Sequence, residues 1–188
     1  NVHIPRPATE DMIDLIKQKV PNDFDGTIAD IGTGSGIIAI TLAHEFPCLA
    51  GRQAKAKIIA TDISDEAIKV AKKNISDHEL RNRITLLKGG LLSPVDKPAD
   101  MIVANLPYGW KTGWTDDKET LHQPEIVYDG GEDGLELIKK LIDQLPQYLN
   151  EKGQAFLEFD PRQTTELAKA LDQSKYNFEI IKDSEAHS

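Results

Sequence analysis

The tetrad Asn105-Leu106-Pro107-Tyr108 has residue types that can hold a planar amide or amine group. Such a nitrogen attacks poorly because its lone pair is delocalised. The side-chain oxygen of Asn105 and the main-chain carbonyl of Leu106 can accept its two N–H bonds, which would aim the lone pair and stabilise developing positive charge. Pro107 restricts Leu106 to an extended conformation, and Tyr108 can stack on the flat group. The alternative is an ordinary Asn-initiated turn.

A glycine-rich stretch lies upstream of the tetrad, Asp30-Ile31-Gly32-Thr33-Gly34-Ser35-Gly36. It follows an apolar segment and precedes a helical one, and its glycines let the backbone approach a ligand closely. The G-x-G-x-G spacing is not that of dinucleotide folds, and no Lys-Ser pair marks a P-loop. The next apolar segment ends at Asp62, which can accept hydrogen bonds from both ribose hydroxyls. We therefore expect a cradle for a nucleoside cofactor rather than a simple connecting turn.

Together the two motifs predict methyl transfer from S-adenosylmethionine to a planar nitrogen, with S-adenosylhomocysteine as the product. The sulfonium methyl is the electrophile at which the lone pair would be aimed. No strong base is needed before attack, because the leaving group is a neutral thioether and the proton can leave afterwards.

The predicted elements alternate strands and helices, which is typical of an α/β fold with a mainly parallel sheet and helices on both faces. Hydrophobic periodicity predicts strands over residues 27–31, 57–61, 83–87, 99–104, 154–159 and 177–182, and helices around 12–20, 37–45, 64–75, 135–145 and 164–173. Ligands of such sheets bind outside the carboxyl ends of the strands, where both motifs lie. Residues 108–134 lack periodicity, and we expect this long connection to be a lid or a substrate wall.

The composition is that of one water-soluble domain over residues 1–188, with 39% hydrophobic and 28% charged residues. No membrane span or signal peptide is visible. The single cysteine, Cys48, excludes an internal disulfide and favours the cytoplasm. A net charge of −9 argues against a broad nucleic-acid surface. The five histidines lack metal-ligand spacing, so we predict no metal. The oligomeric state stays open.

The glycine-rich stretch, Asp62-Ile63-Ser64 and the Asn105–Tyr108 tetrad resemble the motifs of class I S-adenosylmethionine-dependent methyltransferases. Two further segments are similar to the release-factor glutamine methyltransferases, often called HemK or PrmC proteins: Ile4-Pro5-Arg6-Pro7-Ala8-Thr9-Glu10 and Gly130-Gly131-Glu132-Asp133-Gly134-Leu135. Shorter matches are Gln123-Pro124 and Leu157-Glu158. The resemblance runs from Ile4 to about Gln163.

This resemblance implies methylation of a glutamine side-chain amide in the Gly-Gly-Gln loop of a class-I peptide chain release factor. It also implies a Rossmann-like sheet of seven strands, at least six of them in this chain. The residues implied to contact the substrate are Arg6, Pro7, Asn105 and Tyr108. Those implied to bind the cofactor are Asp30, Gly32, Thr33, Gly34, Ser35, Gly36, Asp62, Ile63, Gly90, Leu91 and Asn105. The family adds a helical domain before this region and a strand after it, so we expect an excised catalytic domain.

The chain departs from the family pattern at three positions. Leu106 replaces the first proline of Asn-Pro-Pro-Tyr, although the proposed carbonyl belongs to the backbone and is retained. Gly90 stands where an Asp commonly follows Gly89, which removes a polar contact near the adenine, and Gln123 replaces a frequent Glu. We expect Glu158, at the end of the fifth predicted strand, to make a structural hydrogen bond.

Two other functions stay open. Asn-Leu-Pro-Tyr also resembles the motif of ribosomal RNA adenine dimethyltransferases, so the chain can be an adenine amino-methyltransferase acting on RNA or DNA. The negative charge argues against that function. The three departures support a non-catalytic S-adenosylmethionine-binding or interaction subunit as a third hypothesis.

Overall fold

The computed structural model describes residues 7–46, 56–110, 130–171 and 176–182, and its sheet is the expected parallel one. The strands are β1 (Thr27–Ile31), β2 (Lys57–Asp62), β3 (Ile84–Lys88), β4 (Ala99–Ala104) and β5 (Leu149–Leu157). They are arranged in the order β3-β2-β1-β4-β5, and all neighbouring pairs are parallel. The helices are α1 (Pro7–Lys19), α2 (Ile37–Glu45), α3 (Asp65–Asp77), α4 (Glu136–Tyr148) and α5 (Thr164–Ala170).

The central strands β1 and β4 are buried on both faces because helices cover both sides of the sheet. Ile28 of β1 points into a core with α1, α2 and α3, whereas its neighbour Ala29 points into a second core with α4 and α5. Met101 and Ile102 of β4 divide between the same two cores. This alternation follows from the two-residue repeat of a strand. It explains why the central strands read as short continuous apolar runs.

The strand order reverses at β1: β2 and β3 lie on one side of it, and β4 and β5 lie on the other. Ligands of open parallel sheets bind at such a point, beyond the carboxyl ends of the strands. Ile31, at the end of β1, pairs with Thr61 on one side and Ala104 on the other. The glycine-rich stretch, Asp62 and the Asn105–Tyr108 tetrad therefore start at one level of the same edge.

The sixth strand predicted over residues 177–182 is wrong, because the described residues 176–182 form no strand. Lys19 of α1 forms an ion pair with Glu179 at 2.7 Å. A cavity of about 680 Å³ is lined by α1, β5 and residues 179–182. Ile180 and Ile181 are 37% and 46% exposed. An alternating apolar pattern favours a strand, but a strand also needs backbone partners, and in the described residues this segment has none.

The last helix is also shorter than predicted. A single turn of 3₁₀ helix (Pro161–Gln163) comes first, capped by the carboxylate of Asp160, and α5 then ends at Ala170. Among the described residues, we find no helix with the length and apolar character needed to cross a bilayer.

Candidate active site

The glycine-rich stretch folds as a tight loop between β1 and α2. Gly32, Gly34 and Gly36 all have positive φ angles, of 70°, 56° and 84°. This left-handed backbone is costly for residues with a Cβ. The loop is closed by two backbone hydrogen bonds, from Thr33 N–H to the Thr61 carbonyl (2.9 Å) and from Gly36 N–H to the Thr33 carbonyl (2.8 Å). The G-x-G-x-G spacing is thus a requirement of the backbone geometry at the end of β1.

Asp30 supports this loop from below and is fully buried. Its Oδ2 accepts hydrogen bonds from the Thr33 hydroxyl (2.6 Å) and from Ala39 N–H (3.1 Å). Burial raises the pKa of the carboxyl to about 6, against the opposing effect of these two hydrogen bonds. Oδ1 is buried and has no hydrogen-bond partner among the described residues. Asp30 therefore ties the loop to α2, and its predicted contact with the cofactor stays a prediction.

Asp62, at the end of β2, connects the loop to the start of α3. Its Oδ2 accepts a hydrogen bond from Gly34 N–H (2.9 Å) and its Oδ1 accepts one from Ser64 N–H (2.8 Å). Each carboxylate oxygen has two lone pairs, so both oxygens keep capacity to accept another donor. The carboxylate is thereby held in a fixed orientation, and its remaining lone pairs can accept hydrogen bonds from two ribose hydroxyls.

Ile63 gives this edge an apolar surface, because 62% of the residue is exposed. Among the described residues, a Cβ built on Gly90 would have only Ile63 Cδ1 within 4 Å, at an ordinary contact distance of 3.8 Å, so a side chain here would not be crowded. The adjacent Leu91 has a φ of +49°, which is uncommon for a non-glycine residue. Its carbonyl accepts a hydrogen bond from the Thr61 hydroxyl (3.0 Å). A close backbone loop, an oriented carboxylate and an apolar wall fit the parts of an adenosine-containing cofactor.

The Asn105–Tyr108 tetrad directly follows β4 and contacts the glycine-rich loop. Leu106 is buried at 5% exposure, and a side chain on Gly32 would meet Leu106 Cδ2 at 2.8 Å. The leucine that departs from the family pattern is therefore accommodated by core packing under the loop. Among the described residues, no donor is bonded to Asn105 Oδ1 or to the Leu106 carbonyl. These are the two acceptors that the sequence assigned to a substrate NH₂ group.

Asn105 and Tyr108 are both connected to Glu158, which follows β5. Asn105 Nδ2 donates a hydrogen bond to the Thr9 hydroxyl (3.0 Å), and that hydroxyl donates to Glu158 Oε2 (2.9 Å). The Tyr108 hydroxyl donates to Glu158 Oε1 (3.1 Å). Glu158 was expected to make a structural hydrogen bond. One of its bonds joins it to Tyr108 directly, and another connects it to Asn105 through Thr9. Thr9 was not singled out, and its only signal was its place in the segment 4–10.

A second group of contacts joins the two ends of the connection 108–134. Gln163 is 5% exposed, and its Nε2 donates to the carbonyls of Tyr108 (2.9 Å) and Asp133 (3.0 Å). Gly134 has a φ of +72°, and a Cβ there would lie 2.2 Å from the Tyr108 carbonyl oxygen. The Gly-Gly-Glu-Asp-Gly-Leu stretch is thus needed for a close backbone approach beside Tyr108. Residues 111–129 lie outside the described residues, so the lid or wall stays a prediction.

Pro7, one of the residues implied to contact the substrate, begins α1. The other residues named from the sequence lie outside the described residues: Arg6, Cys48, Gln123 and Pro124. Just after the tetrad, the ring centroid of Trp110 lies 4.6 Å from the Arg162 guanidinium carbon. Across the described ranges no group of three or more potential metal ligands occurs.

Comparison with known proteins gives consistent matches. A family model described as the methyltransferase small domain matches residues 9–186. The release factor glutamine methyltransferase of Rhodopirellula baltica is 33% identical over 198 residues, covering 100% of this chain and 64% of that protein. The release factor glutamine methyltransferase of Thermosynechococcus vestitus is 34% identical over 196 residues, covering 100% of this chain and 65% of that protein. The chain therefore spans just under two thirds of the length of these curated relatives.

The fold has solved counterparts. The crystal structure of ribosomal protein L11 methylase from Lactobacillus delbrueckii subsp. bulgaricus superposes with a TM-score of 0.63 at 29% sequence identity, covering 90% of this chain and 69% of that chain. The likeness extends over most of the sheet and helices described above.

Proposed function

The chain belongs to the methyltransferase small domain family, and on that premise we propose that it methylates the side-chain amide nitrogen of a glutamine in a peptide chain release factor. S-adenosylmethionine, when bound, supplies an electrophilic methyl on sulfur and a neutral thioether leaving group. We place the reaction in the cytoplasm, where translation is terminated.

The cofactor would be held by the loop after β1 and by the ends of β2 and β3. Asp62 would accept hydrogen bonds from the ribose hydroxyls, since its two oxygens are oriented by Gly34 and Ser64. Ile63 and Leu91 would flank the adenine next to Gly90, where a Cβ would not be crowded. The loop Gly32–Gly36 would lie against the rest of the cofactor, as close as its glycine backbone allows.

The observation that carries the proposal is the orientation of the Asn105 amide. Its NH₂ group is turned towards Thr9, so its oxygen is left for the substrate, together with the Leu106 carbonyl. Two acceptors that have no donor among the described residues suit a group that offers two N–H bonds, such as a primary amide. Binding both N–H bonds would orient the nitrogen lone pair and stabilise the positive charge that grows as the N–C bond forms. The amide proton leaves after methyl transfer.

A protein acceptor is supported by charge and by the relatives. An adenine amino group also offers two N–H bonds, so the tetrad alone does not distinguish the two acceptors. The net charge of −9 opposes close approach to a polyphosphate backbone. The similar proteins reported above are named for release factor glutamine methylation and ribosomal protein methylation. We therefore favour the protein substrate over RNA or DNA.

The test is methyl transfer from labelled S-adenosylmethionine to a release factor, with ribosomal RNA and DNA offered in parallel. We expect label on the release factor, and mass spectrometry should place one methyl on the glutamine of its Gly-Gly-Gln loop. The matched control is a release factor with that glutamine replaced by alanine, which should stay unlabelled. Label on RNA with none on the release factor would overturn the proposal. Tight cofactor binding in calorimetry without turnover on any acceptor would instead favour a non-catalytic role.

A further inference from the structure

Thr9 and Glu158 connect the two functional side chains of the tetrad, Asn105 and Tyr108, through three hydrogen bonds of 2.9–3.1 Å. The four residues come from three separate regions: the first turn of α1, the end of β4 and the end of β5. Thr9 is 3% exposed, so water does not readily replace its bonds. The function proposed above uses the Asn105 oxygen, mentions Thr9 only as the group that the Asn105 NH₂ faces, and assigns no role to Glu158.

The chemistry of these groups sets the direction of each bond. An ionised carboxylate only accepts hydrogen bonds, so Glu158 must receive the hydroxyl protons of Thr9 and Tyr108. Threonine has one hydroxyl proton, and once this proton is donated to Glu158 the oxygen can only accept. The group of Asn105 that faces Thr9 must therefore be its NH₂. It follows that the oxygen of the Asn105 amide faces away from Thr9.

The two ends of an Asn amide have nearly the same shape, so packing alone selects weakly between its two orientations. With the amide reversed, the NH₂ of Asn105 would oppose the NH₂ of a substrate amide. That arrangement has two donors and no acceptor, and it would hold neither the substrate nor the charge that develops on it. The orientation of Asn105 therefore decides whether the site can bind its acceptor group.

We propose that Thr9 and Glu158 are positioning residues that keep the Asn105 carbonyl oxygen and the Tyr108 ring directed at the acceptor nitrogen. This inference rests on the proposed function. The same hydrogen bonds also tie α1 to the sheet, so a purely structural role is the competing explanation. The two roles differ in what they predict for turnover, cofactor affinity and the Asn105 amide itself.

The first experiment compares Thr9→Val with Thr9→Ser. Valine keeps the shape of the side chain but removes the hydroxyl, and we expect kcat on the release factor to fall at least about tenfold, since small misplacements of a reacting group are costly. The dissociation constant of S-adenosylmethionine should stay within about twofold of wild type, because Asp62 and the glycine loop are separate from this network. Thr9→Ser retains the hydroxyl and should restore most of the turnover. Thr85→Val, on the exposed side of β3, is the matched control and should leave both quantities unchanged.

Glu158→Gln is the second variant, and it also serves if Thr9→Val fails to fold. The hydroxyls of Thr9 and Tyr108 donate to different oxygens of Glu158, and Gln would place an NH₂ donor where one of these two acceptors lies. We expect a fall in kcat with unchanged affinity for the cofactor. A wild-type kcat in both Thr9→Val and Glu158→Gln would overturn the inference.

A double-mutant cycle separates positioning from structure. A residue that acts through Asn105 has nothing left to position once Asn105 is alanine, so adding Thr9→Val to Asn105→Ala should cost less than about twofold further. A purely structural Thr9 would lower turnover by the same factor in both backgrounds. That additive result would also overturn the inference.

An NMR measurement tests the orientation without any turnover. The side-chain NH₂ signals of Asn105 are identified by their loss in Asn105→Ala. In the wild-type chain one of these protons should exchange slowly with water because it is bonded to Thr9, and Thr9→Val should abolish that protection. Unprotected protons in the wild type would overturn the inference. If the protons are protected and no acceptor is methylated, the orientation stands and the failure lies in the proposed function.

Discussion

The two halves of the candidate site are held in different ways. In the cofactor half (Asp30–Gly36 and Asp62), carboxylates accept hydrogen bonds from backbone N–H groups. The geometry of this half therefore depends on the backbone conformation of the loop. The acceptor half (Thr9, Asn105–Tyr108 and Glu158) is built from side chains bonded to one another. The two halves adjoin where the Leu106 side chain lies beside Gly32.

This difference has a consequence for mutation. A side-chain change in the acceptor half should alter turnover and leave the cofactor cradle intact. A change to either carboxylate of the cofactor half should alter the loop, and with it cofactor affinity or stability. The predictions below test this separation from the largest expected effect to the smallest.

Asn105→Ala should have the largest effect. Removing the side-chain oxygen deletes one of the two acceptors for the substrate NH₂, and loss of one such positioned group costs roughly a hundredfold in kcat. The affinity for S-adenosylmethionine, measured by calorimetry, should be nearly unchanged. A parallel loss of cofactor affinity would mean that the two halves are coupled, and wild-type turnover would reject the role of Asn105.

Asp30→Asn should change how stability depends on pH. The pKa of Asp30 is raised from 3.8 to about 6 in the folded chain, so the folded state binds the proton more tightly than the unfolded state. The resulting stabilisation is complete below pH 3.8 and is lost as the pH rises through 6. The variant cannot ionise, so wild type should lose about 2 kcal/mol relative to it between pH 4 and 7, from a shift of about two pKa units.

Urea unfolding of both proteins across that pH range measures this difference. Asp96→Asn, at an exposed position, is the control for the loss of one carboxyl group. An offset between Asp30→Asn and wild type that does not change with pH would show that burial of this carboxyl does not penalise its charged form.

Asp62→Ala should weaken cofactor binding and leave the rate of the chemical step unchanged. It removes the proposed acceptor for the ribose hydroxyls and the two bonds that hold Gly34 and Ser64. We expect S-adenosylmethionine to bind at least about tenfold more weakly, as for loss of a hydrogen bond to a charged group. At saturating cofactor, kcat should recover to near the wild-type value. A kcat that stays low at saturation would contradict the separation of the two halves.

The same difference explains which parts of the site the sequence predicts. In the cofactor half one bond joins groups 28 residues apart, Gly34 and Asp62, but others join close neighbours: Thr33 is three residues from Asp30, and Ser64 is two residues from Asp62. Such contacts leave a local motif with fixed spacing. In the acceptor half, Thr9 and Glu158 are 149 residues apart. No local pattern records a hydrogen bond over that separation, so Glu158 was assigned only a structural hydrogen bond with no named partner, and Thr9 was not singled out.

The fold follows the same rule. The central strands β1 and β4 are predictable because burial on both faces leaves a short apolar run at each. The false strand at residues 177–182 has an alternating pattern at Phe178 and Ile180, but a strand requires a bonded neighbour, which is not a property of the segment itself. Gln163 was likewise invisible as a residue that holds Tyr108 and Asp133, because its role exists only after the chain has folded.

Gly90→Asp should have the smallest effect, a modest gain in the cofactor affinity of the cofactor half. The family pattern has an Asp after Gly89, and a new Cβ at Gly90 would have only Ile63 Cδ1 of the described residues within 4 Å, at 3.8 Å. The added carboxylate should therefore fit without displacing the backbone and offer one more acceptor beside the adenine. We expect S-adenosylmethionine to bind roughly twofold to fivefold more tightly, the scale of a single exposed hydrogen bond.

Gly90→Ala controls for the loss of glycine and should leave affinity near wild type. Turnover at saturating cofactor should be the same in both variants, because neither touches the acceptor half. If Gly90→Asp binds S-adenosylmethionine more weakly than Gly90→Ala does, repulsion between the new carboxylate and Asp62 outweighs the added hydrogen bond. The glycine would then be the residue that this edge requires, and the departure from the family pattern would be an adaptation of the cradle.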